Sequence, residues 1–316
     1  MKGAFLKEWS VVTAASFLLY MTGFLSPALA SPVARLYSLL TLPATLVYSL
    51  PTVFLAFGGG FFCSLASALL VSVSIGLAVS GVYGAMCFFM FGLPGALMGY
   101  MARLGGKGGG LLVASASAEF AGKLAGVLLL YAFFGLNLLS PGSAEIERYL
   151  NNFGVLAADP AIREAIADQV VLLIPYSMIF FSTVEAMICL WLVSLIQKKR
   201  TGEAFFILPP FSEWAFPKNI LLPLVLGFIC AQIARSRENL YLLRLMGVNL
   251  SELSRTILIV QGLSCACFFM ERRGVPKPFR IAAIVFTPFI SVLGDILAIV
   301  GVTDMGFNVR ERIGRV

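Results

Sequence analysis

The sequence predicts an all-α fold, a polytopic integral membrane helix bundle with eight or nine transmembrane helices. Of the 316 residues, 59% are apolar and only 12% are charged, whereas about a quarter are charged in an ordinary soluble domain. Several charge-free stretches reach the roughly 20 residues that a helix needs to cross the bilayer core. Helices are favoured there because they satisfy their own backbone N–H and C=O groups. The uninterrupted apolar runs differ from the alternating pattern of β-barrel strands.

Nine hydrophobic segments carry this prediction. The segments occupy roughly residues 10–30, 35–56, 60–80, 82–102, 109–138, 169–196, 219–235, 253–270 and 280–302. Prolines and the Gly58–Gly60 run interrupt the pattern between 35 and 80, so eight spans remain an alternative. We expect three parts: a six-helix membrane core over 1–200, a Pro/aromatic cytoplasmic loop over 201–218, and a C-terminal membrane extension of two or three helices over 219–316.

Charge placement predicts a multi-pass protein of the bacterial cytoplasmic (inner) membrane with its N-terminus in the cytoplasm. Lys2 and Lys7 precede the first segment, and Lys198–Arg200 follow the sixth, as the positive-inside rule requires. The first segment ends in Ala28-Leu29-Ala30, which also fits a signal peptide, but its length favours a retained helix. The acidic 139–168 loop then lies outside, with a short amphipathic helix from Asp159 to Asp168. Two arginine groups oppose this topology unless a segment within 219–255 is re-entrant: Arg235, Arg237 and Arg244, and Arg310, Arg312 and Arg315.

The composition excludes several classes of function. The net charge of +7 lies mostly in short loops, where it sets orientation and does not indicate nucleic-acid binding. With no histidine, the chain lacks His-based acid–base catalysis and His metal ligands. The run Gly105–Gly108 lacks the first glycine and the hydroxyl residue of a P-loop. We therefore expect no enzyme activity, no cofactor and no metal site.

Four ionisable residues interrupt the apolar segments: Glu119, Lys123, Glu185 and Asp295. At 1.5 Å per residue, each lies about 15–22 Å from the nearest predicted cytoplasmic helix end, close to the bilayer midplane. Glu119 and Lys123 are four residues apart and share a helix face, so they can form an ion pair. Such residues are costly in lipid and usually face the interior of the bundle.

Three acids and one base leave this group short of positive charge. A proton on one carboxyl, a bound cation or a cationic substrate would supply it. We therefore predict a substrate- or ion-binding site inside the membrane, formed by Glu119, Lys123 and Glu185 with Asp295 as a candidate fourth member. The alternative is a structural ion-pair cluster that fixes helix register and binds no ligand.

Two further patterns concern packing and partners. Gly92, Gly95 and Gly99 are spaced for close helix approach, either within the bundle or against a partner subunit. The Lys198–Lys218 loop contains prolines that prevent a continuous helix, together with several aromatic residues. It either lies on the inner membrane interface or docks a cytoplasmic partner, and the candidate docking residues are Pro209, Pro210, Glu213 and Trp214.

Several local motifs of the chain carry a family resemblance. The motifs are Leu208-Pro209-Pro210-Phe211-Ser212-Glu213-Trp214-Ala215-Phe216-Pro217, Gln261-Gly262-Leu263-Ser264, Gly294-Asp295, Asp304-Met305-Gly306-Phe307-Asn308-Val309-Arg310, and the earlier Gly92-Leu93-Pro94-Gly95 and Gly99-Tyr100. They resemble the motifs of the uncharacterised YybS-like family of bacterial membrane proteins. That family is grouped by distant similarity with the substrate-binding S components of energy-coupling-factor transporters. The resemblance implies an S-component-like layout for the first six segments.

The resemblance also sets the expected function. It implies a small-solute binding or permeation subunit without its own ATPase, embedded in the lipid bilayer, with a coupling subunit and ATPase subunits as candidate partners. No motif in the sequence identifies the solute. The alternative is a non-catalytic membrane scaffold or assembly factor of the cell envelope.

Overall fold

A computed structural model describes residues 9–21, 45–135, 160–235, 240–287 and 290–314, and every regular element within these ranges is a helix. The signal-peptide alternative at Ala28–Ala30 and the acidic loop up to Asp159 lie outside the described residues. The chain divides into two compact units. Unit 1 contains 1–167 and 177–207, and unit 2 contains 168–176 and 208–316. The division falls within the predicted loop and inside the sixth segment.

The helices are numbered here in chain order. The structure places α1 at Trp9–Met21, α2 at Leu50–Gly59, α3 at Phe61–Ala78, α4 at Gly81–Arg103, α5 at Gly108–Phe134 and α6 at Pro160–Thr201. They are followed by α7 at Leu221–Arg235, α8 at Tyr241–Arg272, α9 at Lys277–Phe286, α10 at Ser291–Phe307 and α11 at Val309–Gly314. Helix α4 contains a π-helical turn at Phe88–Gly92, and α6 contributes its residues 168–176 to unit 2.

Within the described ranges, five helices are long and apolar enough to cross a membrane: α3, α4, α5, α6 from Asp168 onward, and α8. Shorter apolar helices occur at Trp9–Met21, Leu50–Gly59 and Lys218–Ala234. The prediction of a multi-pass helical membrane protein is therefore confirmed. A total of eight or nine spans and an S-component-like first six stay predictions.

Three predicted boundaries are wrong. Helix α8 begins at Tyr241, twelve residues before the predicted start, because Arg244, Asn249 and Glu252 interrupt the apolar run without interrupting the helix. The predicted 280–302 segment contains two helices, because α9 ends at Phe286 and α10 begins at Ser291. The sequence between them includes a proline, a residue that cannot donate a helical hydrogen bond. The predicted short helix at 159–168 is not separate, because α6 runs continuously from Pro160.

Glycines allow the helices of unit 1 to approach each other closely. A Cβ on Gly95 would collide with Thr52, and a Cβ on Gly99 would collide with the Val53 carbonyl. These contacts advance together along both chains, so α4 packs parallel to α2. On the next helix a Cβ on Gly122 would strike Pro94, which fixes α5 against α4. The spaced glycines thus serve packing within the bundle, as small residues do in lipid.

The positively charged helix ends gather at one end of unit 1. The Arg103 guanidinium lies beside Gly60, where a Cβ would be 3.0 Å from Nη1. The Arg200 guanidinium lies 5.1 Å from the centre of the Phe54 ring. The Phe57 and Phe205 rings stack with centroids 4.4 Å apart. The C-terminal ends of α2, α4 and α6 therefore meet here, and we call this side of unit 1 the basic end.

A side chain repairs the helical hydrogen bonding beside Pro175 in unit 2. Proline has no N–H and its ring displaces the preceding turn of a helix. The Asn249 side-chain amide of α8 donates to the Leu172 carbonyl at 2.7 Å and accepts from the Tyr176 N–H at 2.6 Å. The amide therefore bridges the two backbone groups that would normally bond to each other. This places residues 168–176 firmly against α8.

The glycine contacts give a test of the packing. Replacing Gly99 with Ala should lower the melting temperature of the detergent-solubilised protein, because the added methyl meets backbone atoms and overpacking costs about 1–3 kcal/mol. Gly58→Ala is the matched control, since no atom lies within 4 Å of its Cβ position and alanine is the better helix former by about 1 kcal/mol. Equal melting temperatures for the two variants would contradict the parallel packing of α2 on α4.

Candidate functional site

Three of the four predicted charged residues meet in unit 1. Lys123 and Glu119 lie one turn apart on α5, and the Lys123 ammonium donates to Glu119 Oε2 at 3.2 Å. The same ammonium donates to Glu185 Oε2 on α6. Glu119 is 0%, Glu185 5% and Lys123 8% exposed. The lysine therefore bridges two carboxylates from different helices inside the protein, and we call these three residues the charged cluster.

The charged cluster lies deep in the predicted membrane layer. Glu119 follows Lys107, the residue before α5, by 12 positions, which corresponds to about 18 Å along the helix. Glu185 precedes Arg200 by 15 positions, or about 22 Å. Both reference residues belong to the basic end. Two helices thus give similar depths independently, close to half of the roughly 40–45 Å that separates the outer edges of the two headgroup layers.

One carboxylate oxygen of the charged cluster is left without a partner. Glu119 Oε1 is buried and accepts no hydrogen bond of normal geometry from any described residue, although the Ser49 hydroxyl lies beside the same carboxylate. The buried hydroxyls of Ser115 and Ser182 also have no partner within the described part of the chain, and the buried Tyr20 hydroxyl lies beside Thr52 without a hydrogen bond of normal geometry. Ser115 lies one turn before Glu119, and Ser182 lies one turn before Glu185. An unsatisfied buried carboxylate oxygen is expensive, so this atom has capacity to accept a proton or a hydrogen bond.

An apolar layer separates the charged cluster from the basic end. Val53, Met98, Ala186, Cys189 and Val193 form a fully buried group, and Phe57 and Phe205 pack against it. The α6 members of this group follow Glu185 in order toward Arg200. A second apolar group contains Tyr20, Tyr48, Val71, Ile75 and Cys87. Water has no polar route through close-packed side chains of this kind, so the cluster is closed toward the basic end.

Asp295 does not belong to the charged cluster in the structure. It lies on α10 in unit 2, where Arg255 Nη2 of α8 contacts Asp295 Oδ1 at 2.6 Å. Arg255 also pairs with Glu252 at 3.4 Å. The Asp295 side chain is 66% exposed, in contrast to the buried glutamates of unit 1. This acid therefore has its own cation, which sequence analysis did not identify.

The predicted docking loop is an ordered segment of unit 2. Phe211–Glu213 form a 3₁₀ turn, and the Trp214 indole N–H donates to the Pro209 carbonyl at 3.0 Å. The Phe211 and Trp214 rings are in contact, with centroids 5.1 Å apart. Pro209, Pro210 and Glu213 are exposed and Trp214 is partly buried. The loop thus presents three of its four predicted docking residues on a fixed backbone.

Arg310 holds this loop in place. Its Nε and Nη2 atoms donate to Asp304 Oδ2 at 2.9 and 2.7 Å. The remaining donors reach the backbone carbonyls of Ser212 and Trp214 at 3.0 and 2.9 Å, and the Ser264 hydroxyl at 3.2 Å. Asn308 adopts φ 50°, a left-handed conformation that ends α10 and returns the chain toward Asp304.

Gln261 completes the network, which we call the Arg310 clamp and define as Gln261, Ser264, Asp304 and Arg310. Its Nε2 donates to Asp304 Oδ2 at 2.5 Å, and its Oε1 accepts from the Phe216 N–H at 2.9 Å. The loop is also tied to α8 by a bond of 2.8 Å from the Ser212 hydroxyl to Glu271. Three separate sequence motifs thus meet in one network. Sequence reasoning gave Gln261, Asp304 and Arg310 no role, although an acid in an apolar helix was a usable signal.

A family model described as "Predicted membrane protein (DUF2232)" matches residues 33–305. The chain belongs to the DUF2232 family. It is also 21% identical over 258 residues to the "Uncharacterized protein YybS" of Bacillus subtilis (strain 168), which covers 77% of this chain and 81% of that protein. The resemblance to the YybS-like family is therefore confirmed. No solved structure matches the chain.

The DUF2232 match includes the charged cluster and most of the Arg310 clamp. Glu119, Lys123 and Glu185 lie within it, as do Gln261 and Asp304, whereas Arg310 lies five residues beyond its end. The family description names the membrane and no activity.

The Arg310 clamp gives a second test. Arg310→Lys keeps the charge but cannot reproduce the forked set of hydrogen bonds, and we expect a loss of about 3 kcal/mol because Asp304 and two carbonyls lose partners in a buried site. The measurement is chymotrypsin cleavage after Phe211 and Trp214, which should accelerate. Arg312→Lys is the control, since Arg312 is exposed. Unchanged cleavage in Arg310→Lys would show that the loop does not depend on the clamp.

Proposed function

We propose that this protein is a small-solute binding or permeation subunit of the bacterial cytoplasmic membrane, without ATPase activity of its own. One observation carries the proposal: a fully buried carboxylate oxygen, Glu119 Oε1, has no partner of normal geometry among the described residues and lies in a cluster with more acid than base. Structural ion pairs are stable when both charges are fully compensated. The charges of this cluster are not fully compensated, so the cluster has capacity for one further positive charge.

The charge balance defines the kind of solute. Two carboxylates face one ammonium, and Lys123 already donates to both of them on their Oε2 atoms. Coulomb attraction at short range is strong in a poorly polarisable interior. A proton, a monovalent cation or a protonated amine at Glu119 Oε1 would neutralise the remaining charge. The buried hydroxyls of Tyr20, Ser115 and Ser182 are available to bind the rest of such a solute.

The apolar layer gives the site a direction. Basic residues flank cytoplasmic helix ends, which assigns the basic end of unit 1 to the cytoplasm. Val53, Met98 and Val193 are buried on that side of the charged cluster. The described state is therefore closed to the cytoplasm, and entry is from the outer side. Release inward requires the apolar layer to open, and a coupling subunit with ATPase subunits is one source of that energy.

A second candidate function rests on the loop of unit 2. The Arg310 clamp fixes the backbone at Ser212 and Trp214, yet Pro209, Pro210 and Glu213 stay exposed. A preorganised loop loses little conformational entropy when it binds a partner. This favours a non-catalytic membrane scaffold or assembly factor that docks a cytoplasmic protein.

Two matched variants separate these functions. Glu119→Gln removes one charge of the cluster at constant shape, and Glu213→Gln does the same in the loop. The measurement is the melting temperature of the full-length protein in detergent with sodium, potassium, ammonium or ethanolammonium chloride. A bound cation at 100 times its dissociation constant stabilises by about 2.7 kcal/mol. We expect at least one salt to stabilise the wild type and Glu213→Gln but not Glu119→Gln.

The opposite pattern supports the scaffold. Affinity purification from membranes would then recover a cell-envelope protein with the wild type and Glu119→Gln, but not with Glu213→Gln. Equal cation stabilisation of Glu119→Gln and the wild type would contradict the binding-subunit proposal, because the atom that carries it would be unnecessary.

A further inference from the structure

Unit 2 contains a cavity of about 560 Å³ that no function described above uses. It lies between α7, the N-terminal half of α8 and the 168–176 part of α6. Its polar lining residues are Gln169, Gln232, Tyr241, Arg244, Ser251 and Glu252. The volume is within the range of small-molecule sites, which is roughly 300–1,000 Å³. This lining is unusually polar for a helix pair in lipid, because it contains two amides, a phenol, a hydroxyl and two opposite charges.

The backbone of the helix pair fixes the cavity. A Cβ on Gly247 would lie 2.6 Å from the Ala231 nitrogen, and a Cβ on Gly227 would lie 2.7 Å from the Ser251 hydroxyl. Residue numbers therefore increase along α7 while they decrease along the facing part of α8, so the two helices are antiparallel. The short distances show that they are closely packed. One face of α8 carries Arg244, Ser251 and Glu252, because Ser251 and Glu252 lie seven and eight residues after Arg244, about two helical turns. The face that carries the charges is thus held rigidly toward the cavity.

The two charged residues of the cavity wall differ in whether they already form an ion pair. Glu252 is already engaged by Arg255 at 3.4 Å, although its side chain remains 32% exposed. Arg244 forms no ion pair with any described residue. Guanidinium groups bind phosphate and carboxylate in a forked geometry. The available recognition groups are therefore the Arg244 guanidinium, which has no ion-pair partner among the described residues, and the Glu252 carboxylate, whose Cα lies about 12 Å further along the helix axis.

We propose that this cavity binds a zwitterionic ligand, with a phosphate or carboxylate at Arg244 and an amine directed toward Glu252. The chemistry is shared by the headgroup of phosphatidylethanolamine and by a free amine-bearing phosphate or amino acid. The lipid source is supported by the cavity wall itself, where the rings of Phe228 and Tyr241 are 60% and 47% exposed. The proposal is independent of the charged cluster of unit 1.

The test uses full-length protein, delipidated in dodecyl maltoside, and three probes: phosphoethanolamine, phosphatidylethanolamine and phosphatidylglycerol. Native mass spectrometry gives the dissociation constant of each. We expect Arg244→Gln to weaken the binding of whichever amine-bearing probe the wild type retains by about tenfold or more, since a charged hydrogen-bond pair is lost. Glu252→Gln should weaken the amine-bearing probe and leave phosphatidylglycerol unchanged. Arg273→Gln, exposed at the other end of α8, is the control and should match the wild type.

The probes also separate the two sources. Binding of both phosphoethanolamine and phosphatidylethanolamine shows that the headgroup chemistry suffices, and binding of the lipid alone assigns the cavity to a membrane lipid; either result supports the proposal. Failure of the wild type to bind both amine-bearing probes overturns it. Binding to Arg244→Gln within about twofold of the wild type overturns it as well. Identical elution of all variants in size-exclusion chromatography shows that they are folded.

Discussion

A lysine held between two carboxylates in the middle of a lipid-spanning unit is the constraint on which the account of this protein depends. Each of these charges alone would cost several kcal/mol in the bilayer core. Lys123 lowers that cost for Glu119 and Glu185 together, and it joins α5 to α6 in doing so. The glycine contacts that press α4 on α2 and α5 on α4 bring these helices close enough for the cluster to be fully enclosed.

The Arg310 clamp and the charged cluster differ in whether their hydrogen-bonding groups are all used. In the Arg310 clamp, Asp304 accepts from Gln261 and Arg310, and the arginine reaches two carbonyls and a hydroxyl in addition. Such a network has no unused capacity, and its effect is to fix a loop. In the charged cluster, Glu119 Oε1 has no partner of normal geometry among the described residues, and there is more acid than base. Such an incomplete network has capacity for a further donor or positive charge.

Much of the helical architecture follows from the sequence, since long apolar runs with few charges have one stable form in lipid. Helical spacing also predicted that Glu119 and Lys123 would face the same side, and residue counting along each helix brought Glu185 to the same depth. Asp295 could not be placed in this way, because its contact with Arg255 joins two separate helices, α8 and α10, whose packing is not determined by local spacing. The start of α8 was missed because Arg244, Asn249 and Glu252 make its first turns look too polar to span.

The Arg310 clamp was beyond sequence reasoning for a different physical cause. Asp304 and Arg310 are six residues apart, a spacing that does not bring side chains together on a continuous helix. They meet because Asn308 adopts a left-handed conformation, which few residues other than glycine adopt. Whether a carboxylate oxygen such as Glu119 Oε1 has a partner is likewise decided by tertiary packing alone.

The most direct test of the central claim is a double-mutant cycle on Lys123 and Glu185. Lys123→Met, Glu185→Gln and the double variant are unfolded in detergent, and the coupling free energy is taken from the three losses. The account predicts a coupling of about 2 kcal/mol or more, because the Lys123–Glu185 ion pair is buried and each single change removes it. A coupling below about 0.5 kcal/mol would mean that the lysine and the glutamate do not stabilise each other inside the protein, which contradicts the account.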